Sequence, residues 1–361
     1  MKPSMPQQRQ WPQKPGWLAR VRHPNGYHGA DQHPPFFEGW YFKMVSPDRQ
    51  ARWAIIPGIF LNEDPSKQHA FIQVFDGMSG HATYHRFPAE QFSAAPDRVD
   101  IRIGANNHFT EHGLTLDIDD DLRKVRADLH FDSLTPYPIT PLSPGIMGPF
   151  AYLPMMECYH GVVSLDHAVR GTLTDGDHRV TFDGGRGYIE KDWGQSFPAG
   201  YVWMQTNHFD SLGTSLTASI AVTPMMGRWF PGFIAALWHA GTLYRFTTYT
   251  GARVEHLSVA DHEVQWVMRG LHHRLEITAA RADVSLLPGP TRAAMDKRVP
   301  ETLKAAIHVK LCPLQSGTAP IFEGEGTCAG LEVAGDIDQL LRGVSQGGGL
   351  GGILRINQGN T

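Results

Sequence analysis

Short apolar segments, each ended by glycine, proline, asparagine or aspartate, recur along this 361-residue sequence. The chain has 38 glycines and 26 prolines, which interrupt helices and central strands, beside 18 phenylalanines, 10 tyrosines and 9 tryptophans. The segments are about five to nine residues long and alternate polar with apolar positions, which is the pattern of half-buried strands. We therefore predict at least about 16 strands and a single short helix, at residues 291–297.

So many strands exceed a single small barrel of about eight strands. Closure into a barrel is one way in which antiparallel sheets hide their unpaired edges. The sequence therefore predicts an all-β protein with two antiparallel β-barrels packed together and very little helix. Residues 21–186 would form the first barrel-like domain and residues 187–340 the second. The polar, proline-rich residues 1–20 are expected to form a flexible arm, and the glycine-rich residues 341–361 a flexible tail.

Charge and cysteine content exclude several classes of protein. The 32 basic residues nearly balance the 36 acidic ones, so a nucleic-acid-binding protein is not expected. The three cysteines, Cys158, Cys312 and Cys328, lie too far apart for a zinc signature or a disulfide framework. No HExxH motif occurs, so we expect neither a metal nor another cofactor. The absence of a long apolar run and of a signal-like N-terminus predicts a cytoplasmic protein.

Two aromatic-rich stretches carry most of the functional information. They are residues 36–43, FFEGWYFK, and residues 187–198, GYIEKDWGQSFP, which lead into residues 201–209, YVWMQTNHF. On an extended strand, alternate side chains of the last stretch share one face, which combines Tyr201, Trp203, Gln205, Asn207 and Phe209. Such a face is typical of a cavity that binds a hydrophobic small molecule and hydrogen-bonds its polar end. The alternative is an ordinary half-buried strand.

These stretches resemble the paired motifs of the tocopherol cyclase family. The first motif is residues 23–28, HPNGYH, leading into FFEGWYFK, and the second is YIEKDWGQSFP leading into YVWMQTNHF. Weaker similarity extends over most of residues 21–335. The resemblance implies a lipocalin-like double β-barrel, similar in architecture to carotenoid hydratase-type proteins. It also implies an activity that closes a chromanol ring on a prenylated quinol.

Ring closure of this kind begins when an acid protonates the prenyl double bond, and the phenol oxygen then captures the cation. It needs a carboxylic acid that an apolar pocket keeps protonated, aromatic rings beside the cation, and little water. The first candidate for the acid is Asp192, with Glu157 and Glu38 in reserve. Alternatively, Asp192 is a turn residue, and Glu38 pairs with Arg52 or Lys43 across strands.

Further residues of the two motifs are candidates for substrate binding. Glu190 lies two positions from Asp192, so both would share a face of one strand, with Lys191 on the other. His160 could relay the phenol proton. Gln205 and Asn207 could hydrogen-bond the quinol hydroxyls. The aromatic candidates for contact with the ring and the cation are Trp40, Tyr41, Trp193 and Trp203. Core packing is the competing explanation for each tryptophan.

Two other functions use the same kind of cavity. A non-catalytic lipocalin-like carrier would hold an isoprenoid or another hydrophobic ligand without an interior acid. A hydratase would protonate the same double bond but let water capture the cation. Because such a ligand dissolves in lipid, transient contact with a membrane surface is also expected.

Overall fold

The computed structural model describes residues 16–154, 156–225, 227–315 and 317–346. Within these ranges the chain forms 25 strands and two α-helices, so the all-β prediction is confirmed. Most strands belong to two large antiparallel sheets. Residues 1–15 of the predicted arm and residues 347–361 of the predicted tail lie outside the described residues.

The first sheet has 12 strands and contains the first aromatic motif. Its first nine strands are β1 Phe36–Val45, β2 Arg52–Leu61, β3 His69–Asp76, β4 Ala82–Phe87, β5 Phe92–Ala94, β6 Asp100–Ile103, β7 Asn107–Thr110, β8 Gly113–Asp119 and β9 Lys124–Asp132. A separate small hairpin follows, formed by β10 Ile139–Thr140 and β11 Ser143–Pro144. The last three strands of the sheet are β12 Cys158–Asp175, β13 His178–Thr181 and β14 Gly185–Gly194. The strand order is β4-β3-β2-β1-β14-β12-β9-β8-β7-β6-β5, with β13 paired to β12. Strands β3 and β6 also contact each other, so the sheet curls toward a barrel.

The second sheet has 11 strands. They are β15 Gly200–Thr206, β16 His208–Phe209, β17 Ser215–Met225, β18 Arg228–His239, β19 Thr242–Thr247, β20 Arg253–Val259, β21 Glu263–Arg269, β22 His273–Ala280, β23 Ser285–Gly289, β24 Lys297–Pro313 and β25 Phe322–Gly335. The order is β19-β18-β17-β15-β25-β24-β22-β21-β20, while β16 pairs with β25 and β23 with β24.

The chain passes from the first sheet to the second between Gly194 and Gly200. Strand β14 pairs with β1 and with β12, so the whole second motif up to Gly194 belongs to the first sheet. The chain therefore leaves the first sheet later than residue 186, the predicted end of the first domain. The predicted division into two domains stays a prediction.

Helices contribute little to the fold. They are α1 Trp17–Arg22, α2 Ile337–Ser345 and the 3-10 turns Gly29–Asp31, Pro65–Lys67, Ala89–Gln91, Gly148–Tyr152 and Thr248–Thr250. Helix α2 starts at Asp336, whose carboxylate accepts from the Gln339 backbone N–H, and it packs on β15, β17, β18 and β20. Among the described residues, no helix is both long and apolar enough to cross a membrane.

The helix predicted at residues 291–297 is wrong. Thr291 Oγ1 instead accepts from the backbone N–H groups of Ala293 and Ala294, at 3.2 and 3.0 Å. A threonine side chain that bonds to the backbone in this way competes with helix formation. The segment is a loop that leads into β24.

Strand alternation sorts the side chains into three apolar layers. One face of β1 and β14 sends Trp40, Phe42 and Ile189 into the core of the first sheet. One face of β15 sends Val202 and Met204 into the core of the second sheet. The opposite faces meet between the two sheets, where Tyr41, Tyr188, Tyr201 and Trp203 pack together. The core of each sheet is therefore filled by side chains, and the open space lies between the sheets.

A buried ion pair fixes the N-terminal segment to the first sheet. Glu38 on β1 and Lys191 on β14 are both fully buried, and the Lys191 ammonium donates to Glu38 and to the backbone oxygen of Gly26. The ammonium also lies 4.6 Å from the ring centre of Trp40 and 4.7 Å from that of Trp193. Burial alone would raise the pKa of Glu38, but Lys191 and His28 lower it below its usual value. Glu38 is thus a carboxylate within a structural cluster.

Removing one partner of this pair should destabilise the protein strongly. Glu38→Gln leaves the Lys191 ammonium buried without its counter-charge, so we expect the free energy of unfolding to fall by about 3–5 kcal/mol. Urea unfolding measures the change, with the exposed Glu63→Gln as the matched control. The double variant Glu38→Gln/Lys191→Met should recover part of the loss. An unfolding free energy for Glu38→Gln equal to that of the control would contradict this assignment.

Candidate active site

A pocket lies between the two sheets, and it encloses about 950 Å³ of space when the open solvent at its mouth is included. Strands β12 and β14 form its first wall, and β15, β17, β18 and β25 form its second wall. The connection between β11 and β12 covers one end with Met147, Phe150 and Met156. We refer to this space as the inter-sheet pocket.

The first wall carries a histidine between two carboxyl groups. Alternation along β14 turns Glu190 and Asp192 toward the pocket and Lys191 away from it, as the sequence predicts. Antiparallel pairing places His160 of β12 directly opposite Asp192. His160 Nδ1 lies 2.9 Å from Asp192 Oδ1, and His160 Nε2 lies 3.4 Å from Glu190 Oε2.

The pKa values of these groups follow from burial and from each other's charge. Burial favours neutral imidazole, but the two carboxylates outweigh it and raise the pKa of His160 to about 9. Burial raises the pKa of Glu190 to about 7, with a further contribution from Asp192 and an opposing one from His160. Glu190 Oε2 also accepts from the Tyr188 hydroxyl at 2.6 Å and from Trp203 Nε1 at 3.2 Å. At neutral pH the histidine is an imidazolium, and Glu190 is close to its midpoint.

The second wall contributes an acid that sequence reasoning missed. Glu332 on β25 is the cross-strand partner of Trp203 on β15, and it accepts from the Tyr201 hydroxyl at 2.6 Å. Burial, and then the charge of Glu301, raise the pKa of Glu332 well above its usual value. This surrounding therefore favours the protonated form of Glu332. The one signal in the sequence is its place between Leu331 and Val333, in an apolar strand.

The rest of the pocket is aromatic and apolar. Trp203 borders it beside Glu190 and Glu332, and its ring makes an edge contact with Tyr41 at a centroid distance of 5.6 Å. Opposite each other on β17 and β18, Ala221 and Gly232 leave room for a ligand. The pocket therefore has a polar end with ionisable groups and an apolar end.

Five of the residues predicted from the sequence line this pocket. They are Glu157, His160, Glu190, Asp192 and Trp203. Glu157 lies near the opening, where it accepts from Ser196 Oγ at 2.8 Å and lies 3.5 Å from Arg292 Nη2. Asp192 is also partly exposed, with 29% of its side-chain surface accessible. Neither carboxylate is enclosed in the way that the predicted acid requires.

Three predicted residues lie in the first sheet's buried cluster and not in the pocket. Glu38, Trp40 and Trp193 surround the Lys191 ammonium on the opposite face of β1 and β14. The prediction of Glu38 as an acid is therefore not supported, because its ion pair lowers the pKa and favours the carboxylate over the acid. Its partner is Lys191 and not Arg52 or Lys43. Core packing is the better explanation for both tryptophans.

Three more predicted residues lie between the sheets but have other partners. Tyr41 donates to Glu301 Oε1 at 2.6 Å, and Gln205 Oε1 accepts from Lys43 Nζ at 2.8 Å. Asn207 Nδ2 donates to Asp166 Oδ1 at 2.9 Å and to the backbone oxygen of Gly187 at 2.8 Å. Gln205 and Asn207 thus do not face the pocket as ligands for quinol hydroxyls. Asn207 also ends β15.

The polar end could also be considered as a cation site. The donor atoms of His160, Glu190 and Asp192 lie within 4.8 Å of one another. However, the two ring nitrogens of His160 each face a different carboxylate. Only Nδ1 makes a hydrogen bond, to Asp192, and Nε2 has none within the part of the chain that the structure describes. The raised pKa of His160 favours an imidazolium, whereas a metal ligand must be a neutral imidazole with a free lone pair.

The raised pKa of His160 gives a testable pH dependence. The pKa of His160 rises from 6.5 to about 9 on folding. Its ion pairs therefore stabilise the folded protein fully below pH 6.5, and this contribution disappears as the pH rises through 9. In imidazole NMR titrations we expect the His160 midpoint near 9 and a lower midpoint in Asp192→Asn. The exposed Asp210→Asn is the control. A His160 midpoint that Asp192→Asn leaves unchanged would refute the ion pair.

Comparison with known proteins agrees with this architecture. A model of the tocopherol cyclase-like family matches residues 140–335, more than half of the chain. No curated protein matches the sequence significantly. The crystal structure of CghA with Sch210972 superposes with a TM-score of 0.53 at 13% identity, covering 84% of this chain and 89% of that one. The crystal structure of a provisionally named AttH from Nitrosomonas europaea superposes with a TM-score of 0.50 at 16% identity. The superposition covers 85% of this chain and 94% of that one.

The solved structures establish the fold, and the lipocalin-like prediction is confirmed. The matched residues include β12, β14, β15 and β25, which supply both walls of the inter-sheet pocket. The match includes the second motif and extends through the second sheet, whereas the first motif, at residues 23–43, lies outside the matched residues. The chain belongs to the tocopherol cyclase-like family.

Proposed function

We propose that this protein closes a chromanol ring on a prenylated quinol by protonating the prenyl double bond. The observation that carries the proposal is a carboxyl group, Glu332, that lines an inter-sheet pocket with aromatic walls and whose pKa is raised there. Membership of the tocopherol cyclase-like family supports an enzyme of the cyclase or hydratase kind. The substrate would be a hydrophobic small molecule, whose polar ring lies at the polar end.

Glu332 replaces Asp192 as the first candidate for the acid. Both side chains are half-buried, but Asp192 is bonded to His160, whereas Glu332 has no cationic hydrogen-bond partner among the described residues and its pKa is raised. In the proposed step, the Glu332 hydroxyl gives its hydrogen to the less substituted carbon of the double bond. The electron pair of the double bond forms the new C–H bond, leaving a tertiary cation and the Glu332 carboxylate.

Aromatic rings stabilise the cation, and the quinol captures it. The rings of Trp203 and Tyr201 border the pocket beside Glu332, and each could contribute about 0.5–2 kcal/mol. The phenol oxygen then forms a C–O bond with the cation, and its proton passes to the Glu190 carboxylate. With a pKa of about 7, Glu190 accepts and releases a proton readily. The His160 imidazolium would favour the ionised form of Glu190, so its proposed role is electrostatic and not that of a proton relay.

Proton return completes the cycle without a change of oxidation state. The proton on Glu190 passes to the Glu332 carboxylate, so the product is an isomer of the substrate. The apolar end, with Phe230 and Phe233 beside the gap at Ala221 and Gly232, suits a prenyl tail. Transient contact with a membrane surface and a cytoplasmic location stay predictions.

Hydration is the second candidate, and one observation favours it. The pocket is partly open, and the side chains of Asp192 and Glu157 are 29% and 21% accessible. Water that enters there could capture the same cation, giving an alcohol. A non-catalytic carrier is less well supported. Carboxyl groups in the pocket weaken the binding of an apolar ligand, and a carrier has no chemical step that needs them.

The test is incubation of the purified protein with prenylated quinols in D₂O, followed by mass spectrometry. Cyclisation gives a chromanol that carries one deuterium on the former alkene carbon, whereas hydration adds a water molecule. We expect Glu332→Gln to lower turnover by about 100-fold or more. Glu323→Gln, an exposed residue of the same strand β25, should retain it.

Three outcomes would count against this function. They are the absence of any chromanol, a chromanol without deuterium, and full turnover by Glu332→Gln. Asp192→Asn and Glu157→Gln distinguish Glu332 from the acids first expected. If either abolishes turnover while Glu332→Gln does not, the proton donor lies near the opening and not at Glu332.

A further inference from the structure

Two glutamates lie directly opposite each other on the second sheet. Glu301 on β24 and Glu332 on β25 are cross-strand partners in an antiparallel pair. Side chains at such positions point to the same side of the sheet and approach closely. Glu301 is only 2% exposed, and Glu332 faces the inter-sheet pocket. Two like charges cannot occupy these positions together without a large cost.

The neighbouring cations are engaged elsewhere. Lys43 donates to Gln205, Lys297 donates to the backbone oxygen of Pro198 beside the Tyr201 ring, and His160 lies between Glu190 and Asp192. Among the described residues, none of these three forms an ion pair with Glu301 or Glu332. The acidic charges that face Glu332 are those of Glu301 from β24 and of Glu190 and Asp192 from β14, and the charge of Lys297 from β24 opposes them.

Neighbouring charges determine which of the two glutamates carries the charge, because each accepts one tyrosine hydroxyl at 2.6 Å. Tyr41 from the first sheet donates to Glu301 at 2.6 Å, and the positive charge of Lys43 also favours the Glu301 carboxylate. Glu332 accepts from Tyr201, but Glu301, Asp192 and Glu190 all oppose its ionisation. Burial raises the pKa of Glu301 to about 7, whereas that of Glu332 is raised well above its usual value.

We propose that Glu301 is a positioning residue that keeps Glu332 protonated, by holding a second carboxyl group beside it across the strands. The pair shares one proton, which stays on the pocket side because Lys43 and the Tyr41 hydroxyl favour the charge on Glu301. Pairs of carboxyl groups separate their ionisation steps in this way in other sites. The catalytic consequence rests on the proposed function, whereas the shared proton does not.

Infrared spectroscopy of the carboxylic-acid C=O band tests the shared proton without any substrate. The band that Glu332→Gln removes at neutral pH identifies the protonated Glu332. In Glu301→Gln we expect the titration midpoint of this band to fall by about one pH unit or more, because the neighbouring charge is gone. Glu323→Gln, the exposed residue on the same strand, should leave the midpoint unchanged.

Two further variants keep the test decisive if Glu301→Gln does not fold. Glu301→Asp retains the charge, so the high midpoint should remain. Tyr41→Phe removes the hydrogen bond that favours the Glu301 carboxylate, so the proton should move toward Glu301 and the Glu332 band should weaken. An unchanged midpoint in Glu301→Gln, or an unchanged band in Tyr41→Phe, would overturn the inference.

The pH dependence of turnover separates this inference from the proposed function. If Glu332 is the proton donor, the alkaline limb of the rate profile in Glu301→Gln should shift with the infrared midpoint. A midpoint that moves while turnover does not follow it would leave the shared proton intact and refute Glu332 as the donor. A midpoint that does not move would refute the role of Glu301, whatever the enzyme converts.

Discussion

The burial of carboxyl groups between two filled sheets is the constraint on which the site depends. Alternation along β1, β14 and β15 sends one set of side chains into each core and leaves the other set to meet across the interface. Because aromatic rings dominate this interface, an acid placed there is costly in its charged form. The same packing that joins the sheets thus raises the pKa of acids such as Glu332.

Polar partners decide which acids stay charged. Glu38 has a lysine beside it and is ionised, and Asp192 bonds to the His160 imidazolium near the solvent. Glu332 has a tyrosine hydroxyl and another glutamate beside it, so its pKa is raised. Residues of one chemical type therefore take three roles: structural charge, orientation of a histidine, and storage of a proton. Burial alone does not distinguish them, but the neighbour within hydrogen-bond distance does.

Local patterning predicted the fold and part of the site. The period of two placed Glu190 and Asp192 on one face and Lys191 on the other, because a regular strand allows no other arrangement. The opposition of His160 and Asp192, and the approach of Glu332 to Trp203, depend on pairings between distant strands that no local pattern encodes. Irregular backbone also escaped prediction: Asn207 ends β15, so Phe209 enters the core of the second sheet.

The central claim is that the inter-sheet pocket, and not the interior of either sheet, holds the substrate. A crystal structure of the protein with a bound chromanol tests it most directly. The account predicts the bicyclic head beside Trp203 and Glu332, with its ring oxygen toward Glu190 and its tail along Ala221 and Gly232. A chromanol bound inside the core of either sheet, or with its tail at the His160 end, would contradict the account.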